Sequence, residues 1–219
     1  MPRYFEFRTG RMRPHWRGRL HTYAAFATIP LGIWLILSAN GVTDKIAVGL
    51  YTLSLHGVFA ISSSYHRLTK TEKSQAFMRK LDHSMIYVLI AGTYTPMCVI
   101  GLREDNGPLY MWIVWSASAI GIMLTVFGKM FKTAMGMYIA IGWIAVWIIP
   151  HIYGVVGWWP VLLYVAGGAV YTTGAILFFT KRPRLAPDHF GFHELWHVHT
   201  VVAAALHFWA TMLVVEKMS

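Results

Sequence analysis

The sequence predicts an all-α integral membrane protein, built as a bundle of seven transmembrane helices. Of the 219 residues, 56% are hydrophobic and only 13% are charged, whereas soluble domains carry about 25% charged residues. The 48 residues between Lys132 and Lys181 contain no Asp, Glu, Lys or Arg. At roughly 20 apolar residues per helix, this stretch holds two spans and a turn. The composition therefore excludes a disordered chain and an ordinary soluble enzyme.

Turn residues and charges delimit the first three predicted spans. Span one covers residues 21–40 and ends at the dipeptide Asn40-Gly41, which is a turn signal. Span two follows an acid–base pair at 44–45 and covers 46–66. Span three covers 82–101 and stops before the polar segment 103–108. Each stretch is about as long as a helix that crosses a bilayer.

The last four spans are delimited in the same way. Lys129 and Lys132 separate span four, 109–128, from span five, 134–151. Prolines and glycines between 150 and 160 predict a hairpin into span six, 159–180. A basic segment precedes span seven, 193–214. We therefore divide the chain into a basic cytoplasmic segment, residues 1–20, and a seven-transmembrane domain, residues 21–215.

Lysine and arginine are distributed unequally between the two sides of the predicted bundle. Cytoplasmic loops of membrane proteins collect these residues. If the N-terminus is cytoplasmic, only Lys45, Arg103 and Lys217 lie on the outer side of the membrane. The other 16 lie inside: Arg3, Arg8, Arg11, Arg13, Arg17, Arg19, Arg67, Lys70, Lys73, Arg79, Lys80, Lys129, Lys132, Lys181, Arg182 and Arg184. This asymmetry predicts a cytoplasmic N-terminus and an outside C-terminus, and it accounts for the net charge of +10 without a nucleic-acid partner.

Ionisable side chains within or beside the spans are candidates for function, because they are costly to place in a membrane. His66 ends the second span, Asp82 opens the third, and His193 and His197 open the seventh. The alternation of the spans places all of them at the cytoplasmic ends of their helices. The sequence therefore predicts one polar site at the inner leaflet.

The histidine spacing predicts a Zn²⁺ site. His193 and His197 are four residues apart and so share one face of a helix. Together with His66 they offer three nitrogen ligands, and three ligands with a fourth position left to water are typical of catalytic zinc, which lowers the pKa of that water to about 7. Asp82 is the predicted residue that holds this water or takes its proton. Ser62, one turn from His66, is predicted to bond the water or a substrate oxygen.

Several nearby residues leave alternatives open. Glu194 lies between the two histidines of the seventh span and is either a second candidate for the general base or a group that faces the lipid headgroups. His199 is predicted to point away from the ligands. His56 and His207 each lie ten residues from a predicted ligand and either form a pair or pack separately. Pro96 predicts a kink in the third span.

Three motifs give the chain a resemblance to a known family. They are Ser62-x-x-x-His66, Leu81-Asp82-His83-Ser84 followed by Ala91-Gly92-Thr93-Tyr94-Thr95-Pro96, and His193-x-x-x-His197. In their order and span positions the sequence resembles the progesterone and adiponectin receptor superfamily, specifically its bacterial hemolysin III branch. The resemblance implies zinc ligands at His66, His193 and His197, with Ser62 and Asp82 around the metal-bound water. It also implies a multi-pass protein of the bacterial plasma membrane.

Three functions follow as expectations. The first is a zinc-dependent hydrolase of a lipid amide or ester at the inner leaflet, since the superfamily includes alkaline ceramidases. The second is a pore-forming cytolysin, after the name hemolysin III, although few charges line any span and a pore would need several copies. The third is a receptor or sensor in which zinc is structural. In each case a membrane lipid is the expected substrate or ligand.

Overall fold

The structure is a computed structural model that describes residues 5–128, 131–183, 185–186 and 188–219, with the side chains of 131–135 outside the description. Almost all of the described chain is helical. Its elements are β1 Phe5–Glu6, β2 Arg11–Met12, α1 Arg19–Ser38, α2 Gly41–Leu68, α3 Glu72–Pro96, α4 Gly107–Phe127, α5 Phe131–Gly142, α6 Ala145–Val156, α7 Trp158–Thr180 and α8 Phe192–Met218.

Seven helical stretches in the described residues are long and apolar enough to cross a membrane. They are Arg19–Ser38, Gly41–Leu68, Glu72–Gly101, Gly107–Phe127, Gly136–Val156, Trp158–Thr180 and Phe192–Met218. Each contains most of one predicted span, so the predicted seven-helix architecture is confirmed.

The largest boundary difference is at the start of the third span. We predict it from residue 82, but α3 begins at Glu72. Thr71 and Ser74 form a capping box there, in which the Ser74 amide donates to the Thr71 hydroxyl at 3.2 Å and the Thr71 amide donates to Ser74 at 3.1 Å. This cap satisfies amides that would otherwise lack partners at the helix start. The charged first turns of α3 therefore project beyond the apolar part of the helix.

The fifth span is broken into two helices, α5 and α6, which the sequence predicts as one. The break falls at Trp143 and Ile144. The amides of Ile144, Val146 and Trp147 donate to the carbonyl of the third preceding residue instead of the fourth. The Tyr94 hydroxyl donates to the carbonyl oxygens of Gly142 at 2.8 Å and Ile141 at 3.3 Å. Because α3 supplies a donor at the break, these carbonyls remain paired away from water.

Pro96 also changes the helix that contains it. The chain continues from Pro96 into a π-helical turn, Met97–Gly101. Proline has no amide hydrogen and so cannot make the α-helical hydrogen bond at its position. The disturbance predicted at this proline therefore takes the form of a wider helical turn that extends the third span.

The third span lies at the centre of the bundle, and large apolar side chains face outward around it. Of the residues in its most apolar stretch, 72% are buried, whereas the corresponding fraction is 17% in the fourth and sixth spans. Outer side chains such as Trp112, Trp147 and Phe127 are 67%, 77% and 83% exposed. An apolar surface this extensive requires lipid rather than water around it.

The cytoplasmic orientation stays a prediction based on the distribution of basic residues. Arg3, Lys129 and Arg184, which count toward it, lie outside the described residues, as does the side chain of Lys132. The fold brings the end of α2 and the start of α8 to the same end of the bundle, and this is the end that the charge distribution assigns to the cytoplasm.

The contact between α2 and α3 supplies a first prediction. A Cβ atom at Gly92 would lie 2.8 Å from Ser54 Cβ, closer than side chains can pack. We expect Gly92→Ala to lower the free energy of unfolding by about 1–3 kcal/mol through overpacking. Thermal unfolding in detergent, followed by circular dichroism, measures this.

Gly49→Ala is the matched control on α2, because a Cβ there meets no atom within 4 Å. The control should be neutral or stabilising, by up to about 1 kcal/mol, since alanine favours the helix over glycine. Equal stability of the Gly92→Ala variant and the unmodified protein would contradict a close crossing of these helices.

Candidate metal centre

Three histidines from two helices meet at one end of the bundle. His66 lies in the last turns of α2, and His193 and His197 lie in the first turns of α8. One nitrogen from each ring lies within 4.8 Å of the other two, and the Nε2 atoms of His66 and His193 are 3.3 Å apart. His66 and His197 are 3% and 2% exposed. His193 is partly buried, and residues 127 positions apart in the chain thus form one group.

One distance within this group agrees with a tetrahedral metal ion. Zinc–nitrogen bonds of about 2.0–2.1 Å at tetrahedral angles place two ligand nitrogens about 3.3 Å apart. The separation between His66 and His193 has this value. Imidazole nitrogens suit Zn²⁺ and other transition metals. The three histidines could therefore hold a metal ion; that the ion is zinc stays a prediction.

Ser62 and Asp82 lie beside the histidines. The Ser62 hydroxyl donates a hydrogen bond to the Asp82 carboxylate, linking α2 to α3. Both residues line the same cavity as His193 and His197. The structure thus brings the five residues named from the sequence to one end of the bundle, while the chemical roles of Ser62 and Asp82 remain predictions.

The cavity extends from this polar group into the apolar interior. It has a volume of about 150 Å³ and is lined by residues from α3, α5, α7 and α8 as well as by Ser62. Apolar side chains make up most of its wall, among them Ile86, Ile90, Ala175 and Phe178. Its composition suits a hydrocarbon chain.

His21 also belongs to this site, although no motif in the sequence indicates a role for it. Its ring stacks on His197, with centroids 3.9 Å apart and planes 6° apart. Its Nε2 atom lies 2.8 Å from the Thr200 hydroxyl oxygen. The stack fixes the ring plane of a candidate ligand.

Glu194 is buried and paired, which corrects the alternative that it faces the headgroups. It is 1% exposed and forms an ion pair with Arg17. Its other carboxylate oxygen accepts a hydrogen bond of 2.8 Å from the amide of Gly191, at the start of α8. Glu194 thus caps the helix that carries His193 and His197, and with both oxygens engaged it does not face the cavity as a free base.

The segment before α1 crosses the polar end of the bundle. Strands β1 and β2 form a small antiparallel hairpin, and Gln75 of α3 bonds the backbone of Phe5 at 2.7 Å and of Phe7 at 3.1 Å. The Glu6 carboxylate lies 3.9 Å from Arg17. Residues 5–18 are therefore a folded cover over the histidines.

Arg13 ties this cover to α2. Its guanidinium donates to the backbone oxygens of Tyr65 at 3.0 Å and His66 at 2.6 Å and to the Thr69 hydroxyl at 3.2 Å. Burial lowers the pKa of Arg13, and these acceptors offset the cost of burying its charge. They also occupy carbonyl groups that the end of α2 leaves without helical partners.

Gly18 allows the cover to approach His66 closely. Its φ of 76° is a left-handed conformation that suits glycine. A Cβ atom at this position would lie 2.7 Å from His66 Cβ.

The remaining histidines of the spans have separate partners. His56 lies 3.1 Å from the Thr28 hydroxyl, and His207 lies 3.1 Å from the Tyr164 carbonyl oxygen, so they do not form the pair that the sequence left open. His199 bonds the Leu195 carbonyl oxygen at 2.9 Å, away from the metal group, as predicted.

The fold and the site define a class of protein: a helical membrane protein with seven spans and a group of three histidines that could hold a metal ion. The chain belongs to the haemolysin-III-related family, because the family model matches residues 10–208. It is therefore a multi-pass membrane protein, and the resemblance inferred from the three motifs is confirmed.

Individual relatives agree with this assignment. The chain is 30% identical over 200 residues to Hemolysin-3 of Bacillus cereus, covering 89% of this chain and 88% of that protein. It is 27% identical over 202 residues to a Hemolysin-3 homolog of Bacillus subtilis, covering 90% and 92%. It is also 27% identical over 179 residues to the human Monocyte to macrophage differentiation factor, covering 76% and 69%.

The histidine geometry predicts the metal content of the purified protein. We expect about one zinc ion per chain in the unmodified protein, and a loss of most of it in the variants His66→Ala and His197→Ala, because two nitrogens alone leave the coordination incomplete. His151→Ala is the control, since this exposed histidine lies on α6. Elemental analysis by mass spectrometry measures the metal. Unchanged zinc in His66→Ala would contradict the three-histidine centre.

The buried pair of Arg17 and Glu194 predicts an asymmetry between single and double variants. Arg17→Met leaves a buried carboxylate without its partner, at an expected cost of about 3–5 kcal/mol in unfolding free energy. The double variant Arg17→Met/Glu194→Gln should be more stable than Arg17→Met alone, because the unpaired charge is gone. Denaturant unfolding in detergent measures both. A double variant that is less stable than the single one would contradict this account.

Proposed function

We propose that this protein is a zinc-dependent hydrolase that cleaves an amide or ester bond of a membrane lipid, at the membrane face predicted to be cytoplasmic. The observation that carries the proposal is the meeting of three histidines, two of them buried, with a Ser62–Asp82 pair at the head of an apolar cavity. A bacterial plasma membrane is the proposed location, in keeping with the Bacillus relatives.

Each residue has a role in this proposal. His66, His193 and His197 hold the ion, which when bound polarises a carbonyl group and makes water more acidic. Asp82 accepts the proton that water loses and later returns it to the leaving amine or alcohol. The hydrogen bond from Ser62 orients the Asp82 carboxylate toward the centre. The apolar cavity binds the acyl chain, and this places the scissile bond beside the histidines.

The folded cover supports a route through the membrane for the substrate. Arg13, Arg17 and the hairpin occupy the side of the histidines that faces away from the bilayer interior. A lipid that enters sideways between helices reaches the cavity without leaving its hydrocarbon surroundings. This route suits a substrate with long apolar chains better than a water-soluble one.

A receptor or sensor with a structural metal is the second candidate, and the packing of α8 favours it. This helix packs mainly against α7 and α1 rather than against α2. A metal held by His66 and the α8 histidines would join two helices that contact each other little. In that case the ion stabilises the bundle and Asp82 has no proton to move.

Lysis is the third candidate, because the Bacillus cereus relative is named Hemolysin-3. A water-filled pore needs a polar wall across the bilayer, whereas the cavity wall of this chain is mainly apolar. Several copies would have to line such a pore together. Leakage from liposomes that persists in His66→Ala would favour lysis over hydrolysis.

Asp82→Asn separates the first two candidates. If the protein is a hydrolase, this variant should keep its zinc and its thermal stability yet lose at least about 100-fold in turnover, the contribution of a positioned general base. Release of fatty acid from a panel of ceramides, acyl amides and phospholipids, followed by mass spectrometry, measures the rate. Glu72→Gln, a charge removal in the exposed first turn of α3, is the control and should leave turnover unchanged.

Two results would contradict hydrolysis. One is a zinc-loaded protein that cleaves no member of the panel. The other is an Asp82→Asn variant with full turnover. A zinc-loaded but inactive protein whose thermal stability falls on chelation would instead support the structural metal.

A further inference from the structure

The cavity contains a second polar group, deeper than the histidines, which the proposed reaction does not use. Tyr171 of α7 and His207 of α8 both line it, and their ring centroids are 5.8 Å apart. Apolar residues and glycine surround them, including Ile90 and Gly168. Polar atoms in an otherwise apolar pocket are the usual means by which it fixes the orientation of a ligand.

The Tyr171 hydroxyl is unsatisfied among the residues that the structure describes. It is shielded from solvent and meets no hydrogen-bond partner there. A buried tyrosine normally uses its O–H group. Because this residue lines the cavity, a molecule inside the cavity can supply the missing acceptor.

His207 offers the complementary function. Its Nε2 atom lies 3.1 Å from the carbonyl oxygen of Tyr164. A carbonyl only accepts, so Nε2 carries the proton, and Nδ1 of the neutral ring is then an acceptor. Tyr171 and His207 thus offer one donor and one acceptor on rings whose centroids are 5.8 Å apart. A hydroxyl group, which accepts one hydrogen bond and donates another, matches both.

The depth of this pair defines where such a hydroxyl lies on a bound lipid. His207 follows His197 by ten residues on α8, a rise of about 15 Å. Tyr171 lies between these levels, because its ring packs on Trp196 at 6.3 Å as well as on His207. The pair therefore lies about 10–15 Å from the histidine centre, a distance that about 8–12 carbons of an extended chain cover.

We propose that Tyr171 and His207 form a binding subsite for a hydroxyl group on the acyl chain of the lipid substrate, near the middle of the chain. The subsite rests on the proposed function for the placement of the lipid head at the histidines. It selects hydroxylated chains over plain ones, because only the former satisfy the two buried polar groups.

Binding of free fatty acids to the full-length protein tests this subsite without any turnover. The probes are octadecanoic acid and its 2-hydroxy, 10-hydroxy and 17-hydroxy derivatives, each displacing a fluorescent fatty acid. We expect the 10-hydroxy acid to bind about fivefold more tightly than the other three, the factor that one net hydrogen bond contributes.

Tyr171→Phe should remove this preference and leave the affinity for octadecanoic acid unchanged, because the ring and its packing remain. The matched control is Tyr164→Phe on the same helix. The Tyr164 hydroxyl bonds Thr211 at 3.0 Å and lies outside the lining of this cavity, so the control should keep the preference.

Gly168→Leu is a second variant for the case that Tyr171→Phe does not fold. Gly168 lines the cavity, and a Cβ atom there meets nothing within 4 Å. A leucine at this position reduces the space in the deep part of the cavity, so the preference for the 10-hydroxy acid should disappear.

Two results would overturn the subsite: equal affinity of the unmodified protein for all four acids, or a preference that survives in both Tyr171→Phe and Gly168→Leu. These results differ from a failure of the hydrolase. A protein that prefers the 10-hydroxy acid but cleaves no lipid keeps the subsite and loses the proposed reaction. A protein that cleaves lipids without this preference loses only the subsite.

Discussion

The burial of polar side chains at one end of an apolar bundle is the constraint on which the rest of the structure depends. Imidazole, carboxylate and guanidinium groups are costly away from water unless each has a partner. Three histidines face one another, Glu194 pairs with Arg17, and Ser62 bonds Asp82. The N-terminal cover is part of the same solution, because Arg13 occupies the free carbonyl groups at the end of α2. The candidate centre and its cover are therefore one polar assembly.

The site joins a polar head to an apolar interior, and this combination suits lipid chemistry. The polar part contains the groups that could bind a metal ion and move a proton, while the cavity offers apolar walls for a chain. The deeper pair of Tyr171 and His207 interrupts those walls. Under the proposed function, a lipid would be recognised at two depths, once by its head and once along its chain.

The sequence predicts the number of spans and the meeting of the histidines for a simple reason. Hydropathy identifies spans because a bilayer admits little else, and their alternation then assigns His66, Asp82 and His193 to one side. The contribution of Arg17 cannot be recognised in the sequence, because topology alone also predicts a basic residue before the first span. The role of Glu194 cannot be recognised either, because its partner lies 177 residues away in the chain. The break between α5 and α6 depends on a donor from Tyr94, which no local pattern reveals.

The pairing of Arg17 with Glu194 also has a consequence for biogenesis. During translation Arg17 leaves the ribosome near the beginning, whereas Glu194 arrives with the final helix. Until that helix docks, the segment before α1 lacks a major anchor and His66 lacks both imidazole neighbours. Insertion of the last span therefore completes the ion pair and the histidine group in a single event, and a chain that stops short of it forms neither.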